Sequence, residues 1–190
     1  MAHAECFYFV EYVKNLFPQY FDKKYGLPTL EVLEVGSLNI NGSVRQFFDA
    51  HTYMGVDIGE GVDVDIVLTD PQKLPFPNNS FDVVVSTEMF EHNPYWDYTY
   101  LEMHRVLRPR GMMLFTCATI GRQEHGTATS IPGASPLTVA KPEFSHYYRN
   151  LQPMDFDNVE DPRILFNTHS YIKNESSSDL YFVGFKHAIS

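Results

Sequence analysis

The chain has 190 residues, a length typical of one domain. Its 44% apolar and 15% aromatic residues exclude a disordered chain. The formal charge of −10 argues against nucleic acid as a partner, because phosphate contacts need a basic surface. No apolar run approaches the ~20 residues that span a bilayer, so no membrane insertion is expected. Cys6 and Cys117 lie far apart, which favours buried free thiols over a disulfide framework or a cysteine zinc site.

The N-terminal segment predicts a helix. Phe9, Val13 and Leu16 have helical spacing over residues 5–17, and Pro18 should end the pattern. The first twelve residues, MAHAECFYFVEY, lack the basic region and the clean apolar stretch of a signal peptide. We therefore expect a reducing, cytoplasmic setting.

Residues 29–119 alternate predicted strands with helical or loop connections. Helical patterns occupy residues 43–48 and 96–107, and Pro109 stops the second. The predicted strands are residues 29–35, 53–58, 64–68, 81–87 and 112–119. The fourth contains three consecutive valines, which is typical of a strand covered on both faces. This alternation predicts an α/β fold with a parallel sheet.

The C-terminal third has a different amino-acid composition. Residues 120–143 are rich in Gly, Ser, Thr and Pro, so we expect a long loop of the kind that is usually functional or disordered. A short helix is expected within residues 144–158. Two strands, at 164–171 and 180–187, are joined by a polar turn and predict an antiparallel pair at one end of the sheet.

The strongest local signal is the loop after the first strand. Gly36 permits a tight turn beside a ligand, and Gly42 precedes a segment whose first N–H groups face the same place. Asp57 ends the second strand about 20 residues later, where a carboxylate can accept two hydrogen bonds from a ribose diol. Such ligands bind beyond the carboxyl ends of the strands, at the switch point of the sheet.

The residues of this loop favour S-adenosylmethionine over a nicotinamide dinucleotide. A dinucleotide fingerprint needs a second glycine where this chain has Leu38, which fills the space of a pyrophosphate. Glu34 adds a carboxylate that repels phosphate and suits a cationic amino-acid ligand. In the alternative interpretation, Gly36 and Gly42 are only turn residues and the loop binds no ligand.

Four segments carry a family resemblance: LEVGS at 33–37, GVDI at 55–58, TDPQKLPFPNNSFDVVVSTEMFEH at 69–92 and LEMHRVLRPRGMMLFT at 101–116. Together they resemble class I S-adenosylmethionine-dependent methyltransferases of the methyltransferase domain 11 type. The resemblance implies a Rossmann-like, mostly parallel seven-stranded sheet with an antiparallel C-terminal strand pair and helices on both faces. It also implies one methyltransferase domain, divided into a helical cap (1–28), a cofactor-binding core (29–119), a substrate-side loop and cap (120–160) and a strand pair (161–190). Leu38 departs from the family's usual loop glycine.

The resemblance also implies a cofactor site for S-adenosylmethionine, with S-adenosylhomocysteine as the product. The methionine end would contact residues of the first loop, the ribose and adenine would contact the ends of later strands, and the sulfonium would lie near the end of the fourth strand. In that order, the implied residues are Glu34, Gly36 and Ser37, with Asn39 in the same loop; Asp57, Ile58, Asp70 and Pro71; and Thr87 and Glu88.

Candidate catalytic residues follow the fourth and fifth strands. Methyl transfer from a sulfonium is an in-line displacement, and a hydroxyl acceptor benefits from a base. His92 and His125 lie on the expected active edge and are candidate bases, with Glu88 beside them. His51 and His104 lie in or beside structural elements, which favours structural roles.

The segment Glu88-x-x-Glu91-His92 also suggests a metal. If it is helical from its first residue, all three side chains share one face and can hold Mg²⁺ or Mn²⁺. The pattern resembles that of ubiquinone-biosynthesis O-methyltransferases and small-RNA 2′-O-methyltransferases, and His125 would supply the further histidine of the latter. The alternative is a cap and cofactor wall without a metal.

The acceptor is expected to be a sugar, a glycan or another small polyhydroxylated molecule. The GRQEHG and HYYRNL stretches loosely resemble methyltransferases found with glycan-synthesis genes, and their aromatic and polar groups suit sugar faces and hydroxyls. Alternatively, these tyrosines pack the cap. Two further functions stay open: a non-catalytic S-adenosylmethionine-binding partner subunit and, with less support, a nicotinamide-dependent oxidoreductase.

Overall fold

The computed structural model describes residues 3–27 and 29–188. Its seven strands form one sheet in the order β3-β2-β1-β4-β5-β7-β6. The strands are β1 (Glu31–Val35), β2 (Thr52–Asp57), β3 (Ile66–Val67), β4 (Phe81–Thr87), β5 (Leu107–Ala118), β6 (Phe166–Asn174) and β7 (Asp179–Lys186). The first five are parallel, whereas β7 pairs antiparallel with both β5 and β6. The predicted fold class is confirmed.

Helices cover both faces of the sheet. They are α1 (Ala4–Leu16), α2 (Trp96–Val106), α3 (Pro136–Val139), α4 (Pro153–Val159) and α5 (Pro162–Leu165). Helix α1 packs into the hydrophobic cluster on one face, while α2 and α4 contribute to the cluster on the other. Within residues 3–27 and 29–188, no helix combines the length and apolarity needed to cross a membrane.

The valines of β4 show why this strand is central. Val84 belongs to the cluster on the α2 face, while Val83 and Val85 belong to the cluster on the α1 face. Successive side chains of a strand point to opposite faces, so a continuous apolar run fits only where both faces are covered. All three valines are fully buried.

Helix α1 buries Cys6, Phe9, Val10 and Val13, and Phe9 stacks on Tyr181 of β7 at 4.5 Å between ring centroids. Its apolar face therefore fixes the start of the chain to the antiparallel end of the sheet. Its remaining aromatic residues do not all share this role, since Tyr8 and Tyr12 are exposed.

Several predicted elements differ in kind or extent; the predicted strand at 164–171, for example, begins at Phe166, because Pro162–Leu165 forms α5. The helical pattern at 43–48 forms a single 3-10 turn, Val44–Phe47, which Ser43 caps through the backbone N–H of Arg45. Strand β5 begins at Leu107, earlier than expected, because Leu107 already pairs with Phe81 before the register shifts. The loop after β5 contains a 3-10 turn, Pro132–Ala134, followed by α3.

Candidate active site

A cleft of about 960 Å³, partly open to solvent, lies beyond the carboxyl ends of β1, β2 and β4. The strand order reverses here, since β1 is flanked by β2 on one side and by β4 on the other. This is the position at which open α/β sheets bind ligands. This volume includes open solvent at the mouth of the cleft. Of the predicted cofactor residues, those on its wall are Glu34, Gly36, Ser37, Asp57, Ile58, Pro71, Thr87 and Glu88.

The floor of the cleft is the turn after β1. Gly36 has φ = +79°, and a Cβ atom there would lie 2.5 Å from Cγ of Met89. Glycine is therefore required for both the left-handed backbone and the close approach of the segment after β4. The N–H groups of Gly36 and Ser37 donate to the carbonyl of Val56, which fixes the turn to the neighbouring strand.

Leu38 and Asn39, where the loop departs from the usual family pattern, are held by side chains. The Leu38 N–H donates to Oδ2 of Asp57 at 3.0 Å. The Asn39 amide donates to Asp63 at 2.8 Å and accepts from the Gly42 N–H at 2.8 Å. Asn39 thus shapes the loop, and its side chain is not part of the wall of the cleft.

Asp57 presents its carboxylate at the rim of this loop. Its Oδ1 accepts from the Ile58 N–H at 2.7 Å, while Oδ2 accepts from Leu38. Each oxygen keeps a second lone pair for a ligand hydroxyl. Burial raises the pKa of Asp57, and the two backbone hydrogen bonds oppose that effect.

Glu34 is buried at the end of β1 and accepts a hydrogen bond from the Tyr53 hydroxyl at 2.9 Å. Burial raises the pKa of Glu34 to about 7, although the Tyr53 hydrogen bond and the Arg45 guanidinium both act in the opposite direction. A cationic ligand group beside Glu34 would favour its ionised form.

Asp70 lies outside the cleft wall, whereas its neighbour Pro71 is part of it. The Asp70 carboxylate accepts from the Gln72 N–H at 2.9 Å and is exposed. As the molecule stands, Asp70 therefore orders the turn after β3 and does not face the cavity.

The opposite wall comes from the loop after β5, which was expected from the sequence to be either functional or disordered. The lining side chains there are Ala134, Ser135, Pro136, Leu137, Thr138 and Phe144. Gly126 at the base of this loop has φ = +64°, and a Cβ there would lie 2.6 Å from Cε1 of His92. The only hint in the sequence was the spacing of Pro132 and Pro136, which start two short helical turns.

His92, His125 and Tyr148 form a cluster of rings, and His92 is the member that lines the cleft. Their centroids lie 5.0 Å apart for the two histidines, 5.5 Å for His92 and Tyr148, and 5.1 Å for His125 and Tyr148. Burial lowers the pKa of His92 to about 2, and burial also lowers the pKa of His125. Both rings are therefore neutral at pH 7. His146, by contrast, is exposed.

Glu91 lies behind these rings and is fully buried. Glu91, His92 and His125 each offer a ligand atom within 4.8 Å of the others. Both carboxylate oxygens of Glu91 and both ring nitrogens of His92 lack a hydrogen-bond partner among the described residues. Burial, reinforced by the charge of Glu88, raises the pKa of Glu91 above its usual value.

Glu88 belongs to a different group. It has φ = +52°, and the 3-10 turn after it spans only Phe90–His92, so the condition under which Glu88, Glu91 and His92 would share one helical face is not met. Its carboxylate points instead toward His3, at 3.4 Å from Nε2. Burial acts to raise the pKa of Glu88, but the His3 hydrogen bond prevails and lowers it. The structure thus brings together three of the four predicted metal ligands.

His51 and His104, which were expected to have structural roles, each make a hydrogen bond to the backbone. His51 Nδ1 accepts from the Leu30 N–H at 3.0 Å, and His104 Nε2 donates to the Leu165 carbonyl at 2.9 Å. Burial lowers the pKa of His104 to about 4. Neither residue lines the cleft.

Residues 33–115 match the family model described as a methyltransferase domain. This segment runs from within β1 into β5. It includes the loop after β1 and the acidic residues Glu34 and Asp57. Over these residues the chain is similar to a methyltransferase domain. S-adenosylmethionine, the predicted cofactor, is the methyl donor that this match implies.

Two curated relatives are similar over this methyltransferase domain. The fatty-acid O-methyltransferase of Mycolicibacterium smegmatis is 35% identical over 100 residues, which cover 46% of this chain and 36% of that protein. The ubiquinone biosynthesis O-methyltransferase of Paramagnetospirillum magneticum is 29% identical over 145 residues, covering 69% of this chain and 56% of that protein. The first curated relatives are thus matched over only about a quarter to a third of their length.

Solved structures share the fold at low identity. A putative S-adenosyl-L-methionine-dependent methyltransferase of Methanococcus maripaludis has a TM-score of 0.59 at 14% identity, over 96% of this chain and 85% of that one. A putative methyltransferase solved in complex with the Trm112 methyltransferase activator of Haloferax volcanii has a TM-score of 0.54 at 15% identity, over 98% and 100% of the two chains.

The cleft of the methyltransferase domain fits its cofactor. Glu34 is a buried carboxyl with one hydrogen-bond donor, Tyr53, and it suits the cationic amino-acid end. Asp57 retains acceptor capacity for a diol, and the Gly36 turn leaves the backbone close to the cavity. The residues present therefore fit the group.

Proposed function

We propose that this chain transfers a methyl group from S-adenosylmethionine to a hydroxyl oxygen of a small polyhydroxylated acceptor, such as a sugar or glycan. The observation that carries the proposal is the contact of the His125 and Tyr148 rings with His92, which lines the cleft. When bound, S-adenosylmethionine supplies an electrophilic methyl group on its sulfonium. The chain must then align an acceptor, exclude water and take up a proton.

The proposed cofactor contacts divide along the cleft. Glu34, Gly36 and Ser37 would hold the methionine end, Asp57 would accept from the ribose hydroxyls, and Ile58 and Pro71 would pack on the adenine. Thr87 and Glu88 would lie nearest the sulfonium. The support is that all eight residues line one cavity. Asp70 and Asn39 stay as predicted contacts, Asp70 through its neighbour Pro71 and Asn39 through the loop that it orders.

His125 is the better placed of the two candidate bases. Its Nδ1 lies 3.0 Å from the Gln123 carbonyl, which can only accept, so Nδ1 carries the proton and Nε2 keeps its lone pair. The ring is half-buried, so a proton taken from an acceptor hydroxyl can pass on to solvent. His92 is buried and packs behind it.

A divalent cation fits the group formed by Glu91, His92 and His125. A buried carboxylate and imidazole without partners are costly, and a metal ion satisfies both at once. These three residues would hold Mg²⁺ or Mn²⁺, which would lower the pKa of an acceptor hydroxyl and orient it. EDTA distinguishes the two alternatives. Activity is lost in EDTA if a metal ion assists the reaction, and it is retained if His125 alone acts as the base.

The surroundings of the rings support a sugar acceptor. Tyr148 and the two histidines offer ring faces, and the Tyr148 hydroxyl lies 3.2 Å from the Gln123 carbonyl at the solvent side. Sugar faces stack on such rings, and sugar hydroxyls need polar partners of this kind. The Asn150 side-chain amide donates to the backbone carbonyl of Arg122 at 2.9 Å, in the same loop as His125.

An acceptor panel tests the proposal. The chain is incubated with S-adenosylmethionine and with either sugars or fatty acids, and product mass and S-adenosylhomocysteine are measured, with and without EDTA. We expect methylated sugar, and a loss of roughly 10²- to 10⁴-fold in turnover for His125→Ala with little change for the exposed His146→Ala control. Methyl transfer only to a fatty-acid carboxylate would contradict the acceptor class. Cofactor binding without turnover on any acceptor would favour the partner-subunit function instead.

A further inference from the structure

Four potential metal ligands converge where α1 meets the ends of β4 and β7. His3 Nε2 lies 3.1 Å from Asp179 Oδ2, 3.4 Å from Glu88 Oε2 and 3.5 Å from Cys6 Sγ. The ligand atoms of all four residues lie within 4.8 Å of one another. Cys6, Glu88 and Asp179 are buried, and His3 is half-buried. This group is separate from Glu91, His92 and His125.

The groups around these four residues orient them as metal ligands are oriented. His3 Nδ1 lies 2.8 Å from Glu5 Oε2, so the carboxylate holds that nitrogen as the donor and leaves Nε2 facing the cluster. Asp179 Oδ1 accepts a hydrogen bond from Nη1 of Arg122 at 3.1 Å, and Oδ2 of the same carboxylate faces His3. Carboxylate–histidine–metal arrangements of this kind fix the tautomer and the ring orientation at metal sites.

The sulfur of Cys6 also has a hydrogen-bond donor. Thr116, on β5, donates its hydroxyl to Cys6 Sγ at 3.4 Å, and this contact opposes burial and the charge of Glu88, which raise the pKa of the Cys6 thiol to about 11. The other cysteine, Cys117, follows Thr116 on the strand and packs in the cluster on the opposite face of the sheet. Cys6 is therefore the sulfur that this group can use.

The distances suit a zinc ion. A tetrahedral site with bonds of roughly 2.0–2.3 Å to N, O and S has ligand atoms about 3.3–3.7 Å apart. The three separations measured from His3 Nε2, 3.1–3.5 Å, are close to that range. One nitrogen, one sulfur and two carboxylate oxygens form a donor set that favours zinc over the hard cations.

We propose that His3, Cys6, Glu88 and Asp179 bind a zinc ion that ties the start of α1 to the sheet beside the active site. Binding displaces the thiol proton of Cys6 and the Nε2 proton of His3, so each zinc ion bound releases up to two protons. The ligands come from three distant parts of the chain, which is why the spacing of the cysteines gave no sign of a zinc site.

Cobalt substitution tests this site without recourse to activity. EDTA-treated protein is titrated with Co²⁺ and followed by absorption in the near ultraviolet, where a cobalt–thiolate bond gives an intense charge-transfer band. We expect the band in the unchanged chain and in Cys117→Ala, and its loss in Cys6→Ala. The Glu91, His92 and His125 group contains no sulfur, so it cannot produce the band.

A second variant guards against loss of folding in Cys6→Ala. His3→Ala changes a half-buried side chain outside the core and should weaken Zn²⁺ binding at least about tenfold in competition with a chelator. Zn²⁺ should also raise the Tm of the unchanged chain more than that of His3→Ala, which keeps only the Glu91, His92 and His125 group. Absence of the cobalt band in the unchanged chain, its persistence in Cys6→Ala, its dependence on Cys117, or unaltered zinc affinity in His3→Ala would each overturn the proposal.

Discussion

Replacing Glu91 with Gln should change how stability depends on pH. Burial raises the pKa of Glu91 above the value of 4.5 usual for glutamic acid. In metal-free protein, the folded state therefore keeps a proton that the unfolded chain releases as the pH rises above about 4.5. The contribution of Glu91 is fully favourable below that pH and is lost as the pH rises toward the folded pKa. Gln cannot ionise, so Glu91→Gln removes this dependence.

The magnitude follows from proton linkage. While the folded state holds one more proton than the unfolded chain, its free energy of unfolding falls by about 1.4 kcal/mol per pH unit. Glu34 and other buried groups titrate in the same range, so the informative quantity is the difference between the two proteins. We expect Glu91→Gln to gain stability relative to the unchanged chain by up to that amount per unit between about pH 5 and 7.

Urea denaturation at several pH values, in EDTA, measures this difference. The exposed Glu143→Gln carries the same chemical change at the surface and should leave the pH dependence as it is. Adding Mn²⁺ should stabilise the unchanged chain above pH 6 more than Glu91→Gln, because an ion bound to Glu91 favours the ionised carboxylate. A constant stability difference between the unchanged chain and Glu91→Gln from pH 5 to 7 would refute the reasoning.

Three further variants address the cleft and its loops. Asp57→Ala removes the diol acceptor and should weaken S-adenosylhomocysteine binding roughly 10²-fold, on the basis of about 1.5–3 kcal/mol per hydrogen bond to a charged group; calorimetry with unchanged affinity would contradict the placement of the ribose. Gly36→Ala places a Cβ against Met89 at φ = +79° and should cost about 1–3 kcal/mol in thermal or urea unfolding; equal stability would contradict the strained turn. Gly126→Ala would press on His92 and should lower turnover more than cofactor affinity, and kinetics with a loss in affinity alone would contradict this role.

The alternation of strands and the three valines of β4 were enough to predict the sheet. A strand that is buried on both faces consists of consecutive apolar residues, and such a run is visible in the sequence. The cleft was predictable for a similar reason. Gly36 and Asp57 are held by local constraints, a left-handed turn and a strand end, that act within a few residues.

The rest depended on contacts between distant parts of the chain. His3 and Asp179 are brought to Glu88 by the packing of α1 on β7. The spacing of residues along the sequence does not predict such a contact. The left-handed backbone of Glu88 separates it from Glu91, although the sequence alone suggested one shared helical face. The cleft wall formed by Leu137 and Phe144 likewise follows from the path of a long loop.

Calorimetric titration with S-adenosylhomocysteine, alongside NAD as a matched nucleotide control, tests the central claim most directly. The geometry of Glu34, Gly36 and Asp57 predicts saturable binding of S-adenosylhomocysteine and none of NAD. Binding of NAD in preference to S-adenosylhomocysteine, or of neither, would contradict the assignment of this cleft to the methyl donor.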